Sequence, residues 1–379
     1  MPRTQYSYVE RQHAESGQNG TATYDLPERD YLEGLIVTAY STPTATTNPA
    51  LPLSDAITKI EVIDGGMVLK SLTANQVKAL EMIHNSPQAS GPEWNKTGVE
   101  HWDTFAIDLG KLIDGTMYAP DMSRLSNPQI QITWDYSITT TQFGMTCDAD
   151  TTPSMKFSVI AKMLRDGPNV THGYLRSQKI YEFTQATSTT TVTEIPRKYP
   201  IVGIGVEAGY DTKNWCDDVE EVKLDFDNGS WIPFHLYEAE IPFMQQFWFN
   251  TDWMYSWSAM MESSDELDTH MGLLTDLCVR PTSGAGRAAE YEWASQGVDT
   301  FWLWDLATPT ETDEYQMVYM TSHGFMPFHM WYCPFSALTG NTSDIIDSTR
   351  FGRIELETTS SASASTSSTP AIILEELVT

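Results

Sequence analysis

The chain has 379 residues, 41% of them hydrophobic and 11% aromatic, a composition that supports a large buried core and two domains of ordinary size. It carries 22 Lys and Arg against 51 Asp and Glu, which gives a formal net charge of −29. Proteins bind nucleic acids by replacing phosphate counterions with Lys and Arg, so we expect no direct nucleic-acid partner.

The first segment, residues 1–24, is polar and poor in aliphatic side chains, so we predict an N-terminal arm there. It lacks the apolar stretch of a secretory signal peptide, and we expect no such signal. No window of the chain holds 18 uninterrupted apolar residues, so we also expect no membrane-spanning helix.

From Tyr31 onward, short runs of β-branched and aromatic residues alternate with Gly, Pro, Asn, Asp and Ser. This pattern predicts many short strands joined by turns, in the runs LIVTAY, ITKIEVI, GMVLKSL, TFAIDL, IQITWDYSI, KFSVIAKML and KIYEFTQ. Good helix formers predict a short helix over 73–83, with Thr73 as its N-cap, and a second over 241–247. The predicted class is all-β with one short helix in each half.

The order of these elements repeats along the chain. YLEGLIVTAYSTPT, ITKIEVIDGGMVLKSL and a helix are matched by YPIVGIGVEAGYDT, VEEVKLDFDNGSWIPFHL and a helix, each with an Asp-Gly or Asn-Gly hairpin turn. The sequence separation between matched residues stays nearly constant, varying by no more than a loop can absorb. The matched pairs are Tyr31 and Tyr199, Ile60 and Val222, Val62 and Leu224, and Leu72 and Leu236. Farther on, Asp103-Thr104-Phe105 is matched to Asp299-Thr300-Phe301.

A β domain of about eight strands has to protect its sheet edges, and a jelly-roll sandwich does so by folding one long hairpin over itself. We therefore predict two tandem eight-stranded jelly-roll β-sandwiches, with an arm at 1–24, a first domain at 25–195 and a second at 196–379. The C-terminal segment is predicted to be a hairpin. One strand contains Ile354, Leu356 and Thr358, the next contains Ile372, Leu374 and Leu377, and an exposed Ser-rich loop joins them.

Motifs for catalysis or ligand binding are absent from the sequence. There is no GxSxG, GxxxxGK[ST] or HExxH pattern, and the pair Glu266 and His270, at helical spacing, is a weak metal signal. The cysteines are too widely spaced for a zinc site or a disulfide framework, which predicts unpaired, part-buried thiols at Cys147, Cys216, Cys278 and Cys333. We predict no enzyme, and no catalytic, cofactor-binding or metal-binding residues.

One segment, residues 243–257, is unusually aromatic. Its aromatic residues are Phe243, Phe247, Trp248, Phe249, Trp253, Tyr255 and Trp257, and Asp252 lies among them. Three interpretations stay open: a buried core, a subunit interface, in which Trp, Tyr and Met are enriched, and a ligand site in which aromatic faces stack on sugars.

The paired opening strands at Tyr31 and Tyr199, the two hairpins, and the closing RIELETT and AIILEELV runs resemble the double jelly-roll major capsid proteins of tailless icosahedral viruses, the adenovirus-type lineage. The resemblance implies homotrimers that form pseudo-hexagonal tiles of a virion shell, assembled in the host cytoplasm and without catalysis. It also implies contacts with neighbouring capsomers and with other capsid or vertex proteins. The arm would reach an internal membrane or membrane proteins.

Other classes of function remain open on the same fold. One is a double-jelly-roll carbohydrate-binding protein or a hydrolase such as an amidase, for which Glu207, Asp252 and Trp253 are the first residues to test. Another is a phage receptor-binding or spike protein, which would also be trimeric.

Overall fold

A computed structural model gives the fold of the chain. It describes residues 3–42, 53–85, 88–94, 100–113, 115–136, 141–142, 145–146, 154–165, 170–184, 186–208, 215–238, 240–250, 253–261, 266–269, 277–281, 289–291, 299–303, 316–324, 326–339, 345–364 and 369–379.

Strands dominate the described residues. Those of the first part are β1 (Arg3–Glu15), β2 (Asn19–Asp25), β3 (Tyr31–Thr42), β4 (Lys59–Asp64), β5 (Met67–Leu72), β6 (Gln88–Trp94), β7 (His101–Asp108), β8 (Lys111–Ile113), β9 (Thr116–Ala119), β10 (Pro128–Asp135), β11 (Thr141–Gln142), β12 (Met145–Thr146), β13 (Ser154–Arg165) and β14 (Val170–His172). Those of the second part are β15 (Tyr174–Glu182), β16 (Thr190–Glu194), β17 (Ile201–Glu207), β18 (Val219–Phe226), β19 (Trp231–Tyr237), β20 (Trp253–Met261), β21 (Glu266–Thr269), β22 (Leu277–Pro281), β23 (Ala289–Tyr291), β24 (Asp299–Leu303), β25 (Gln316–Gly324), β26 (Met330–Pro334), β27 (Ile354–Ser360) and β28 (Ala371–Val378).

Helices are short and few among the described residues. They are α1 (Leu53–Ala56), α2 (Ala74–His84), α3 (Trp215–Asp218), α4 (Glu240–Phe249) and α5 (Phe335–Thr339), with 3₁₀ helices η1 (Met122–Arg124), η2 (Pro327–His329) and η3 (Ser348–Arg350). The two predicted helices are confirmed as α2 and α4.

The first sandwich consists of two four-stranded layers. One has the strand order β1-β13-β3-β7, and the other has the order β2-β10-β4-β5 within a longer sheet. Strand residues alternate between the two faces, and the inward ones meet in a common core. Val37, Phe105 and Val159 enter it from the first layer, and Val62 and Ile132 from the second.

The second sandwich repeats the first strand for strand. Its layers have the orders β15-β28-β17-β26 and β16-β27-β18-β19, and its core contains Val206, Trp331 and Ile372 from one layer and Leu224 and Leu356 from the other. Each sandwich has eight strands and one helix of ten or eleven residues, α2 or α4. The predicted fold class is confirmed.

The predicted hairpins are confirmed in their register. Ile60 lies opposite Leu72 in the β4–β5 hairpin, and Val222 lies opposite Leu236 in the β18–β19 hairpin. The matched residues of the sequence repeat therefore occupy the same position in both sandwiches. Gly229, in the second turn, has a φ of +87°, a backbone conformation that favours glycine over residues with a side chain.

A short motif just before β10 and β27 also repeats. Asp121 caps η1 by accepting the backbone N–H of Ser123 at 3.1 Å, and Asp347 caps η3 by accepting that of Thr349 at 3.3 Å. An Arg follows each Asp by three residues and pairs with it. The sequences DMSR and DSTR thus form the same capped turn, which the sequence comparison did not identify.

The N terminus differs from the predicted arm. Residues 3–25 form β1 and β2, which pair along their length with β13 and β10. Most of β1 is exposed because it is the edge strand of its layer, so it needs few aliphatic residues. Its composition therefore resembles that of a tail although its backbone belongs to the sheet.

The strand pairing also departs from the predicted division at 195/196. β15 pairs with β28, and β16 pairs with β27, so both belong to the second sandwich although they precede residue 196. They are the counterparts of β1 and β2. The layer containing β15 continues the β2-β10-β4-β5 layer through one parallel contact, Ser71 opposite Gln178.

Two further predictions were wrong. The counterpart of β7 is β26, which pairs with β17 as β7 pairs with β3, whereas the residues matched by sequence, 299–301, lie in β24 and pair with β21 and β23. The C-terminal strands β27 and β28 are present, with Ile354, Leu356, Ile372 and Leu374 buried, but they do not form a hairpin, because they lie in different layers. The segment between them is exposed only in part, since Ser361 and Ala364 are buried.

Candidate assembly surfaces

Helix α2 lies at the junction of the two sandwiches. The Thr73 hydroxyl accepts the backbone N–H of Gln76 at 3.2 Å, and the Gln76 side chain accepts that of Thr73 at 3.0 Å, a capping box that fixes where the helix begins. Nine of its eleven residues are buried. A helix this short is stabilised by packing, and here both sandwiches supply the packing surface.

At its start, α2 contacts Glu207 at the end of β17. Gln76 Nε2 donates a hydrogen bond to Glu207 Oε2 at 2.5 Å, so one glutamine caps its own helix and binds the second sandwich. Burial raises the pKa of Glu207 from 4.5 to about 7, against the opposing effects of the Gln76 hydrogen bond and of Lys179. Glu207 is thus a carboxyl group that titrates near neutral pH inside the junction.

At its end, α2 contacts Glu375 in β28. His84 Nε2 lies 3.0 Å from Glu375 Oε2, which also accepts the Tyr332 hydroxyl at 2.7 Å, and the other carboxylate oxygen accepts the Ser177 hydroxyl. Burial alone would raise the pKa of Glu375, but His84, Lys70 and these hydrogen bonds hold it well below its usual range. The ionised carboxylate therefore holds residues of α2, β15, β26 and β5 together.

The residues proposed for a hydrolase do not form an open site. Trp253 is fully buried, and its indole N–H donates to the carbonyl of Met82 at 3.1 Å, so it anchors α2. Glu207 is buried against Gln76, and Asp252 lies outside the described residues. Their placement favours a structural role for Glu207 and Trp253.

The weak metal signal has no support in the described part of the chain. Glu266 lies in the strand β21, so its predicted helical spacing to His270, which is outside the described residues, does not hold. Among the described residues, no group of three His, Cys, Asp or Glu side chains could hold a metal ion. The absence of catalytic, cofactor and metal residues stays a prediction.

Of the four cysteines, the structure describes the side chain of Cys333, which is buried and unpaired. Burial raises the pKa of its thiol well above the usual value, which makes it unreactive. The prediction for the side chains of Cys147, Cys216 and Cys278 falls outside the described residues.

An open groove of about 590 Å³ lies beside the connection between β16 and β17. It is lined by Glu194, Arg197, Lys198 and Thr349, among others. The guanidinium of Arg197 donates to the carbonyl of Phe351 at 2.7 Å, so this cation already has a structural partner.

The aromatic segment divides between core and surface. Trp248 packs in the second core against Phe234 and Trp331, with ring centroids 6.0 and 5.7 Å apart, and Phe249 packs against Trp253 at 5.5 Å. Phe243 and Phe247, one turn apart on α4, are instead 61% and 68% exposed. The side chains of Tyr255 and Trp257 lie outside the described residues.

A second exposed apolar surface lies on the first sandwich. Tyr6, Tyr8 and Trp102, on β1 and β7, are 58%, 60% and 47% exposed. They belong to the β1-β13-β3-β7 layer, whose outer face also presents the exposed Thr38–Thr104 hydrogen bond of 3.2 Å. The two tyrosines lie on one edge strand of the layer and Trp102 on the other. Exposed aromatic side chains such as Tyr and Trp are enriched at protein interfaces.

Comparison with known proteins supports the fold independently of the strand count. No protein-family model matches the chain, and no curated protein matches its sequence. Solved structures of viral capsid proteins, however, match over nearly all of its length. The crystal structure of the STIV MCP matches with a TM-score of 0.59 at 9% identity, and the match covers 99% of this chain and 96% of that one. The chain has the double jelly-roll fold.

Two further double jelly-roll structures have similar scores. The atomic structure of Sulfolobus Turreted Icosahedral Virus has a TM-score of 0.57 at 9% identity, covering 99% of this chain and 90% of that one. The PBCV-1 virus capsid has a TM-score of 0.55 at 8% identity, covering 100% and 94%. At such identities the similarity concerns the fold, so residue roles have to be argued from this chain's own contacts.

In the described residues, no helix has the length and apolar character needed to cross a membrane.

Sequence reasoning also missed the junction cluster of Lys70, His84, Ser177, Tyr332 and Glu375. The available signal was a charged residue inside an apolar strand, Lys70 in MVLKSL and the Glu pair in AIILEELV. Such a charge predicts a buried partner, but the sequence alone does not say which one.

Proposed function

We propose that the chain is the major capsid protein of an icosahedral virus, with a structural role and no catalysis. The observation that supports this most is the duplicated eight-stranded sandwich, which matches viral capsid structures over 99 to 100% of the chain. The buried positions of Glu207 and Trp253 give no support to a hydrolase or to a carbohydrate-binding site at those residues.

The proposed assembly unit is a homotrimer. Three copies of a two-sandwich chain contribute six similar sandwiches, which fit a pseudo-hexagonal tile, and closed symmetric rings are the usual form of homo-oligomers. Proposed further partners are neighbouring capsomers, other capsid or vertex proteins, and an internal membrane or its proteins. The proposed location is the virion, with assembly in the host cytoplasm.

The strand pairing supports a revised division of the chain. We place residues 3–165 in the first jelly roll and residues 174–379 in the second, so that β1 and β15 occupy the same position in each. A direct test is electron microscopy of the purified, concentrated protein. Six-lobed particles with a central axis support the proposal, and single two-lobed particles at every concentration contradict it.

A further inference from the structure

Within the chain, the first sandwich covers the outer face of a layer of the second. Met330, Tyr332, Ala371 and Ile373 lie on the face of β26 and β28 that points away from their own core, and they pack in the core cluster of the first sandwich. Every residue of β17 is buried as well. At this covered face, α2 makes the Gln76–Glu207 and His84–Glu375 contacts.

The duplication gives α2 a counterpart in α4. The Glu240 carboxylate accepts the backbone N–H of Tyr237 at 3.1 Å, as the Gln76 side chain accepts that of Thr73 at 3.0 Å. This matched cap equates Gln76 with Glu240, so Ala79 and Ile83 correspond to Phe243 and Phe247. At 3.6 residues per turn, these positions lie within about 60° of the capping residue around the helix.

The two helices differ in what covers that side. Ala79 and Ile83 are buried, whereas Phe243 and Phe247 are more than half exposed. Only two of the ten α4 residues, Ile241 and Gln245, are buried. Helix α4 therefore has an apolar face of the kind that α2 buries, and nothing in the described part of the chain covers it.

The covered sheet face has a counterpart too. Val37 lies between Val159 and Phe105 in the first sandwich, as Val206 lies between Ile372 and Trp331 in the second. Successive residues of a strand point to opposite faces, so the residues after Val37 in β3 and after Val206 in β17 both point outward. Thr38 is therefore the counterpart of Glu207.

On the neighbouring strands the same register equates Ile160 with Ile373 and Ala106 with Tyr332. Ile373 and Tyr332 are buried, whereas Ile160 and Ala106 are partly accessible. Among the residues that the structure describes, the outer face of β1-β13-β3-β7 is thus the uncovered equivalent of a face that is covered in the second sandwich.

We propose that α4 of one copy docks on the outer face of the β1-β13-β3-β7 layer of a second copy, in the manner in which α2 docks on β17, β26 and β28 within the chain. This inference rests on the proposed function, because it names the surfaces that hold the capsomer together. The contact is head-to-tail: each copy offers α4 to one neighbour and its first-sandwich face to another. Repeating one sandwich-to-sandwich contact within and between copies generates a closed ring when the rotation of that contact closes after six sandwiches, and the trimer proposed above requires that closure.

Composition favours a second copy as the occupant. Chains with a net charge of −29 repel one another, so a contact between copies has to bring few carboxylates together. Residues 241–249 of α4 carry no charge, and the opposite surface presents Tyr6, Tyr8 and Trp102. Trp and Tyr are enriched among the few residues that supply most of the binding energy of interfaces.

A charge test uses the double variant Phe243→Asp and Phe247→Asp. Its matched control is Val192→Asp, at an exposed apolar residue of β16 in the other layer of the second sandwich. The inference predicts that the double variant sediments as a folded monomer, with the circular dichroism spectrum of the parent, while the control remains a trimer. A double variant that remains trimeric at low micromolar concentration would overturn it.

A cross-linking test locates the contact. Gln76 binds Glu207 within the chain, so Glu240 of one copy should meet Thr38 of the next. Because the template contact joins the ends of two long side chains, the Cα atoms lie beyond the reach of a direct disulfide, and a bismaleimide cross-linker is used instead. We expect cross-linked dimers when Glu240→Cys and Thr38→Cys chains are mixed, none in either variant alone, and covalent trimers when one chain carries both changes. A trimeric double-cysteine variant that gives no interchain bond would contradict the inference and leave the proposed trimer intact. A parent chain that stays monomeric would contradict both.

Discussion

His84, the last residue of α2, lies with its Nε2 atom 3.0 Å from Glu375 Oε2, in the last strand of the chain. Its ring also stacks edge-on against Tyr332, with centroids 5.4 Å apart. The two partners belong to different sandwiches, so this contact joins the halves of the duplicated fold. Because Glu375 is fully buried, its charge is stable only while these partners remain in place.

Glu375→Gln should therefore destabilise the protein strongly. The change removes the buried carboxylate that faces Lys70 and His84, and leaving a buried charge such as Lys70 without this partner costs about 3–5 kcal/mol. Chemical denaturation followed by tryptophan fluorescence measures the loss. The matched control is Glu357→Gln, at the surface pair with Lys223, which should cost less than about 1 kcal/mol. Equal effects of the two changes would show that the cluster does not hold the junction.

Glu207 should make stability depend on pH near neutrality. Its pKa is raised from 4.5 to about 7 in the folded protein, so the folded state binds the proton more tightly than the unfolded state. The resulting stabilisation is fully present below pH 4.5 and is lost as the pH rises through about 7. The size of the shift corresponds to roughly 3 kcal/mol.

Glu207→Gln removes this dependence while keeping an oxygen that can accept the Gln76 hydrogen bond. We expect the variant to match the parent at pH 5 and to be more stable at pH 8, as measured by urea unfolding at both pH values. The control is Glu194→Gln, at an exposed residue of β16, which should leave the free energy of unfolding unchanged at both pH values. A difference from the parent of equal size at pH 5 and pH 8 would mean that Glu207 is not the titrating group.

Removing residues 371–379 should abolish folding of the second sandwich. This segment is β28, which lies between β15 and β17 and is buried along almost its whole length. Its loss would also remove Glu375 from the junction. We expect aggregation or loss of the near-ultraviolet circular dichroism signal. A soluble truncated chain with cooperative unfolding would contradict this role for β28.

Shortening the Ser-rich connection should have little effect. Deleting residues 366–367 leaves the buried Ser361 and Ala364 in place, and the entropy of closing a loop changes slowly with its length. The free energy of unfolding should change by less than about 0.6 kcal/mol. A larger loss would show that this connection packs as part of the core.

The parts of the fold that the sequence predicted are those with local patterns. Alternation placed Ile354 and Leu356 on a buried face, the Asp-Gly and Asn-Gly turns located two hairpins, and the cap at Thr73 marked the start of α2. In each case the pattern and the structure depend on residues close together in the chain.

The errors concern pairings over long sequence distances. β15 pairs with β28 and β16 pairs with β27, each well over 150 residues away, and no local pattern distinguishes β15 and β16 from strands of the first sandwich. Exposure on both faces gave β1 the composition of a tail. The exposed side of α4 could not be separated from the buried side because both carry aromatic residues, Phe247 outward and Trp248 inward.

The central claim, that two-sandwich chains close into a capsomer of three copies, is tested most directly by the mass of the purified full chain in solution. Multi-angle light scattering across a concentration series should give three times the chain mass of 42.6 kDa. A mass of one chain at every concentration would contradict the account.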